Sequence, residues 1–417
     1  MHFKKLIITL MMAVMLVGST VSGSFAAVND NVKAPKIDAK SAILYSVTTD
    51  EILYSKNQDK QVQPWSTTKL MTALLVAENM DMNETVTVSS KAASLGGSTM
   101  NLVAGEKLSV KDLMYGLLME SGNDAAYALG TACGGGDVKK FVQMMNDKAK
   151  ELGCKNTHFV NPNGLKAKNH YTTASDFLKI AKAALSNKTV YKISGTKVYH
   201  VGKTNKSSAR TIETHLDLLE TKNSGVVAGK TGYWEDDDCS IALIYSKKGL
   251  KMILVQFGAK YSTRAKDDAK LLKFGTKKIV TVKATNQKTA VGKARVRYGA
   301  HTVVDTYAKD VVSAYPKDGT DKTIKIKEKY NKSVQAPLKS GDVVGTATVY
   351  CDGKKIGTTK LIVKEDVEKG WLLSAIYISN NQTILLGSLL GILLVVLYFR
   401  HRVRRKYAIS SGKHDRR

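Results

Sequence analysis

The apolar positions change period along the chain, and each change marks an element. Ser41–Tyr45 and Ile52–Tyr54, separated by Thr48-Thr49-Asp50, predict a β-hairpin. The spacing then becomes helical. Leu70, Met71, Ala73, Leu74, Leu75 and Ala77 predict one helix, and Leu113, Leu117, Leu118, Ala125, Ala126 and Leu129 a second helical region, interrupted at Ser121-Gly122. Phe177–Leu185 predicts another helix, capped by Ser175 or Asp176. Strands return at Gly225–Gly232, Ser240–Ser246 and Leu250–Phe257, the last two joined by Lys247-Lys248-Gly249, and a helix follows near Arg264–Lys278. Two strands, a helical middle, three strands and a last helix make an α+β fold with helices on a largely antiparallel sheet. From about Ile279 short alternating strands take over: Val280–Val282, Ala294–Tyr298, Ile324–Ile326, Val343–Tyr350 and Leu361–Val363. They predict a small β-sandwich carrying no evident chemistry.

Two stretches are apolar without period. Lys4 and Lys5, the apolar run Leu6–Val17 and the small-residue end Ser24-Phe25-Ala26-Ala27 predict a secretory signal peptide cleaved after Ala26. Ile384–Phe399 holds sixteen residues with Ser388 as the one clearly polar member, followed at once by Arg400, His401, Arg402, Arg404, Arg405 and Lys406. Sixteen helical residues reach about 24 Å, short of a ~30 Å hydrocarbon core, so flanking residues must tilt or snorkel. The basic cluster predicts a membrane anchor with its tail on the cytoplasmic side and the main body exported.

Composition narrows the function classes. The 417 residues are 43% hydrophobic and 24% charged, with 5 Pro and 32 Gly, which excludes fibrous and low-complexity chains. The net charge of +28 favours polyanions, and export turns that preference away from nucleic acid toward anionic lipid or wall polymer. Cys133, Cys154, Cys239 and Cys351 form no C-x-x-C pair and no H-E-x-x-H occurs, so neither a metal nor a redox cofactor is expected. Cys133 and Cys154 are the nearest pair available for a disulfide.

Nucleophilic chemistry is the remaining candidate. Pro64-Trp65-Ser66-Thr67-Thr68-Lys69 opens the first helix, and i, i+3 spacing puts Ser66 and Lys69 on one face. A serine hydroxyl needs a base to take its proton, and a lysine serves as base once burial and a neighbouring cation depress its pKa. S-x-x-K alone decides nothing, because Ser194-Lys197 and Ser410-Lys413 also match. Ser66/Lys69, Ser121/Asn123 and Lys230-Thr231-Gly232 stand apart by occurring in order at a helix start, a turn between helices and a strand, the arrangement of the S-x-x-K, S-x-N and K-T-G signature of penicillin-reactive enzymes.

With Trp65–Thr72, Glu120–Ala126, Asn161-Pro162-Asn163-Gly164-Leu165, His170-Tyr171 and Gly229–Tyr233 on the page, the chain resembles the D-alanyl-D-alanine carboxypeptidases, the low-molecular-mass penicillin-binding proteins of serine peptidase family S11, over roughly Ala34–Lys364. The resemblance implies a β-lactamase-like catalytic domain with helices on a five-stranded antiparallel sheet, and a second β-rich domain followed by a C-terminal anchor. The expected organisation is signal peptide 1–26, catalytic domain 27–278, β-sandwich 279–368, linker 369–383, transmembrane anchor 384–399 and basic tail 400–417. The resemblance further implies that Ser66 attacks the carbonyl between two D-alanines of a peptidoglycan stem peptide while Lys69 accepts its proton. Ser121 would relay a proton to the leaving amine, and Asn123 would hold Lys69 and the substrate amide. Lys230 and Thr231 of the K-T-G strand would bind the terminal carboxylate, and the N–H groups of Ser66 and Tyr233, which follows Gly232, would form the oxyanion hole. β-Lactams would acylate Ser66.

Two departures from the family pattern stand out. Trp234-Glu235-Asp236-Asp237-Asp238 follows the K-T-G strand where Thr and a short Gly-containing turn are usual; four acids beside an anion-binding site would lower affinity for the substrate carboxylate, but a charge run normally lies in water and the favoured reading is a solvated turn. Where some members carry a carboxylate-binding Arg, this chain has Thr214-His215-Leu216. Gly134-Gly135-Gly136 reads as a flexible turn, His158 and His170 as hydrogen-bonding residues, and Met114, Met119, Met144 and Met145 as core. Against a β-lactamase stands the absence of an acidic residue between Asn161 and His170, and against a silent wall-binding protein the intact reactive set.

Overall fold

The computed structural model describes residues 31–316 and 320–411, with side chains as far as 405; the expected signal peptide and the last six residues lie outside the described range. Two compact units divide the chain, one running to Val280 and including Tyr315–Thr320, the other formed by Thr281–Ala314 and Asp321 onward.

The first unit is built on a five-stranded sheet of β1 (Ser41–Ser46), β2 (Glu51–Lys56), β3 (Val226–Gly232), β4 (Cys239–Lys247) and β5 (Leu250–Ala259), ordered β2-β1-β5-β4-β3 and antiparallel throughout. The central strands read as continuous apolar runs because both faces are covered. Ile43, Ala242, Ile244, Ile253 and Val255 point into one core, and Ala42, Leu44, Ile241, Leu243 and Leu254 into another. The first core receives α1 (Lys69–Asn79), α2 (Val110–Leu118), α3 (Asn123–Cys133), α4 (Val138–Glu151) and α5 (Ala174–Ser186); the second receives α6 (Tyr261–Lys278). Helix α1 runs through the middle of its layer, with every residue from Lys69 to Val76 buried. That is why its apolar positions are not confined to one stripe. Helix α5 is capped by Thr173, whose side chain accepts from Asp176 N, not by Ser175 or Asp176. The Met-rich stretch is core as expected, with Met114, Met119 and Met145 buried. Cys133 and Cys154 are unbridged thiols.

The second unit is an antiparallel sheet of β6 (Ala290–Arg295), β7 (Val303–Ala308), β8 (Ile324–Tyr330), β9 (Val343–Cys351) and β10 (Lys354–Ile362), ordered β6-β7-β10-β9-β8, with a two-stranded pair of Val282–Lys283 and Ser313–Ala314 beside it. Its core holds Ala294, Val296, Val304, Ala347, Leu361 and Val363. The stretch 369–383, expected as a linker, contains a 3-10 turn at Leu372–Ile376. Helix α7 then runs over Asn380–Ser411 and is apolar enough to cross a membrane over Asn380–Arg405. Those 26 residues extend about 39 Å, longer than the sixteen apolar positions alone indicate, because the polar ends of a helix leave no hydrophobic trace.

Candidate active site

Ser66 lies in a single 3-10 turn, Trp65–Thr68, that leads directly into α1. In 3-10 geometry residues i and i+3 eclipse, so Ser66 and Lys69 end up stacked one above the other. Lys69 Nζ is 3.0 Å from Ser66 Oγ, 2.8 Å from Asn123 Oδ1 and 2.7 Å from the Asn163 carbonyl oxygen. Ser66 keeps partial solvent access while Lys69 is wholly buried behind it. Burial first, and the Lys230 charge second, hold Lys69 well below the ordinary lysine range; Asp124 opposes them weakly. A neutral amine has two N–H donors and one lone pair. Of its three neighbours, two oxygens can only accept and the third, Ser66, can donate, so the environment matches a neutral amine.

Three connections hold this pair in place. The first is the start of α3. Asn123 donates from Nδ2 to Gly96 O at 2.8 Å, and the Asp124 carboxylate accepts from the backbone N–H of Met100 and Leu102 at 3.0 Å, which fixes the segment 96–102 against the S-x-N turn. Ser121 itself is buried and holds a left-handed backbone, φ 62°. The second is the Asn161–Leu165 loop. Asn161 Oδ1 accepts from Gly164 N at 2.7 Å, and Thr72 Oγ1 donates to Pro162 O at 2.6 Å, so the loop is clamped to α1. Gly164 has φ +82° and a Cβ there would lie 1.9 Å from Trp65 O, a contact only glycine permits. Below it, buried His170 lies 3.0 Å through Nε2 from Thr68 Oγ1 and accepts at Nδ1 from Val160 N. Burial, helped by His158, brings His170 down from 6.5 to about 4, so the ring is neutral.

The third connection is strand β3, the edge strand of the sheet. A Cβ on Gly232 would lie 3.0 Å from the Ser66 nitrogen and 2.2 Å from Ser240 Oγ, so glycine lets the strand run against the Ser66 turn. Lys230 is buried with its Nζ donating to Thr231 O at 2.8 Å, and Thr231 is buried beside it. Burial, then the Arg264 guanidinium, bring Lys230 from 10.5 to about 7, with Glu120 opposing. Tyr233 is exposed and its hydroxyl donates to Asp236 at 3.1 Å.

Ser66, Lys69 and Asn123 thus meet by direct contact, and Lys230 is close enough to act on Lys69 by its charge. Four participants were given no role in the site from the sequence. The Asn163 carbonyl belongs to the main chain, which leaves no side-chain signal. Trp234, from the departing acidic turn, stacks on Trp65 with centroids 4.9 Å apart and planes 6° apart, and Lys166 Nζ lies 5.3 Å from the Trp234 ring. Residues Glu235–Asp237 are exposed. Arg264, buried at the start of α6 and paired to Asp217 at 2.9 Å, supplies a guanidinium near Lys230; His215 instead lies 4.0 Å from Glu120.

The chain matches known proteins over most of its length. The D-alanyl-D-alanine carboxypeptidase family model matches residues 28–261, and the model of the penicillin-binding protein 5 C-terminal domain matches 280–369. The chain is 32% identical over 382 residues to D-alanyl-D-alanine carboxypeptidase DacF of Bacillus subtilis, covering 89% of this chain and 96% of that protein. It is 31% identical to DacC of Escherichia coli over 85% of this chain and 90% of that one. Among solved structures, penicillin-binding protein 5 of Haemophilus influenzae superposes with a TM-score of 0.57 at 29% identity, covering 81% of this chain and all of that one. Ser66, the buried Lys69 and the edge-strand Lys230 all lie within the first matched region, and the match together with the 32% identity over most of the chain leads to one assignment: the chain belongs to the D-alanyl-D-alanine carboxypeptidases, serine peptidases of family S11.

Proposed function

We propose that Ser66 is the nucleophile of this serine D-Ala-D-Ala carboxypeptidase, with Lys69 as its base and peptidoglycan stem peptides as substrate. The observation that carries the reading is the fully buried Lys69 amine, beside the Lys230 cation and in contact with two pure acceptors and one hydroxyl. Neutral Lys69 takes the Ser66 proton as Oγ attacks the carbonyl between the two D-alanines. The N–H groups of Ser66 and Tyr233 receive the developing oxyanion, which each donor stabilises by a factor of about 10²–10³ in rate. Ser121 passes a proton to the leaving D-alanine, Asn123 keeps Lys69 aligned and holds the substrate amide, and Lys230, Thr231 and Arg264 draw the terminal carboxylate to the edge strand. Water then releases the acyl group. No metal or cofactor enters this chemistry, and a β-lactam entering the same cleft acylates Ser66 in the same way.

The site is placed outside the cytoplasm by a signal peptide and anchored by α7, whose candidate span Asn380–Arg405 is long enough to cross the hydrocarbon core and whose arginines follow the apolar run directly, with the tail inside the cell. The purified protein should release D-alanine from a peptide ending in two D-alanines, Ser66→Ala should abolish release without unfolding, and labelled penicillin should remain on Ser66. Persisting release in Ser66→Ala rejects the nucleophile; rapid turnover of penicillin favours a β-lactamase.

A further inference from the structure

The segment between the sheet unit and α7 exposes large apolar side chains on a rigid support. Leu372 is 90% exposed, Ile376 66% and Trp371 54%, and Tyr377 adjoins them at 36%. Such a cluster has no reason to face water in a soluble domain. Nor does it hang from a loose tether. Tyr298 N donates to Ser374 O at 3.1 Å, Gly370 N to Tyr298 O at 2.8 Å and Asn380 N to Ala300 O at 3.2 Å. Trp371 N donates to Asn380 Oδ1 at 2.8 Å, and Arg297 Nε to Ala375 O at 3.1 Å. A Cβ on Gly370 would meet Gly299 O at 2.5 Å, so the chain is pressed directly onto the sheet unit.

Two cations stand at the same place. The Arg295 guanidinium lies 4.4 Å from the Tyr377 ring centroid and that of Arg297 4.8 Å from Tyr298. Lys369 adds a third exposed positive charge, next to the exposed Glu368 in sequence. Exposed aromatic and aliphatic side chains rimmed by arginines, opening straight into an apolar helix at Asn380, have the chemistry of the bilayer interface, where indole rings sit at headgroup level and guanidiniums meet phosphate.

We propose that Trp371, Leu372, Ile376 and Tyr377 form a docking surface that seats the sheet unit in the headgroup region of an anionic bilayer, with Arg295 and Arg297 binding lipid phosphates. The sheet unit then stands fixed on the membrane. This rests on the reading of α7 as a membrane span, and the test separates the two. The full chain is reconstituted into phosphatidylglycerol–phosphatidylcholine vesicles in which the lipids carry bromine either near the glycerol or near the bilayer centre. Trp371 emission is obtained as the difference between the chain and Trp371→Phe. The expected result is a blue-shifted Trp371 emission, quenched by the shallow bromine and spared by the deep one. In Leu372→Asp/Ile376→Asp the quenching should be lost while the chain still floats with vesicles and still takes labelled penicillin, which reports an intact fold. A floating wild-type chain whose Trp371 is untouched by bromine and open to aqueous iodide overturns the proposal. Failure to float overturns the span, and the docking surface with it. Equal quenching in pure phosphatidylcholine overturns the role of the two arginines.

Discussion

Acid should destabilise the catalytic unit through His170. Its ring is buried, lies 3.0 Å from Thr68 Oγ1 and accepts from Val160 N–H, so it is neutral in the folded protein down to about pH 4, whereas in the unfolded chain it charges near 6.5. Between those values the unfolded state holds one more proton, so stability falls as pH falls through this window. Above 6.5 the contribution is complete, and below 4 it is gone. The interval from 6.5 to about 4, at about 1.4 kcal/mol per pH unit, corresponds to about 3 kcal/mol. In a domain of ordinary stability, about 5–15 kcal/mol, that is a large share. Other groups also titrate, so the comparison is with His170→Asn, which keeps an acceptor for Val160 N–H and cannot titrate. Urea unfolding followed by tryptophan fluorescence from pH 7.5 to 4 should show wild type losing about 3 kcal/mol more than the variant, and NMR of the imidazole should give a midpoint near 4. Parallel stability curves, or an imidazole midpoint near 6.5, would refute the burial argument.

Three further outcomes follow from the site. Lys230 loses its proton at about pH 7, so kcat/KM for a carboxylate-ended substrate should fall as pH rises through that value, while a substrate capped as an amide should lack the limb. Gly164→Ala places a Cβ 1.9 Å from Trp65 O in a left-handed position, and should lower stability by about 2 kcal/mol or more and slow penicillin acylation, measured by thermal unfolding and stopped-flow labelling. Trp234→Ala removes the stack on Trp65 and should cost about 1 kcal/mol in stability, with acylation slowed more than global unfolding explains; an unchanged acylation rate would show that the stack does not steady the nucleophile turn.

The central strands of the first unit were legible because burial on both faces makes them near-continuous apolar runs, and the hairpin because Thr48-Thr49-Asp50 separates such a run from the short apolar triplet Ile52-Leu53-Tyr54 of the edge strand β2. The candidate residues Ser66, Lys69, Ser121, Asn123 and Lys230 were legible only through motif order, since S-x-x-K alone recurs in so lysine-rich a chain. The helical spacing expected for Ser66 and Lys69 gave the right proximity through a different local form, a 3-10 turn preceding the α-helix. What stayed hidden was tertiary. The Trp65–Trp234 stack and the approach of Arg264 to Lys230 join residues far apart in sequence, and no local pattern encodes them. The cap at Thr173 was missed because Ser175 and Asp176 are equally good capping types, and the choice is made by the turn that Thr173 itself begins.

Ser121 holds a left-handed backbone that glycine would adopt freely and serine occupies at a cost of about 1–3 kcal/mol. Replacing it by glycine should therefore make a sturdier protein and a poorer enzyme. A search for heat-resistant variants would be drawn to that position first, and would have to be held away from it by a screen for turnover.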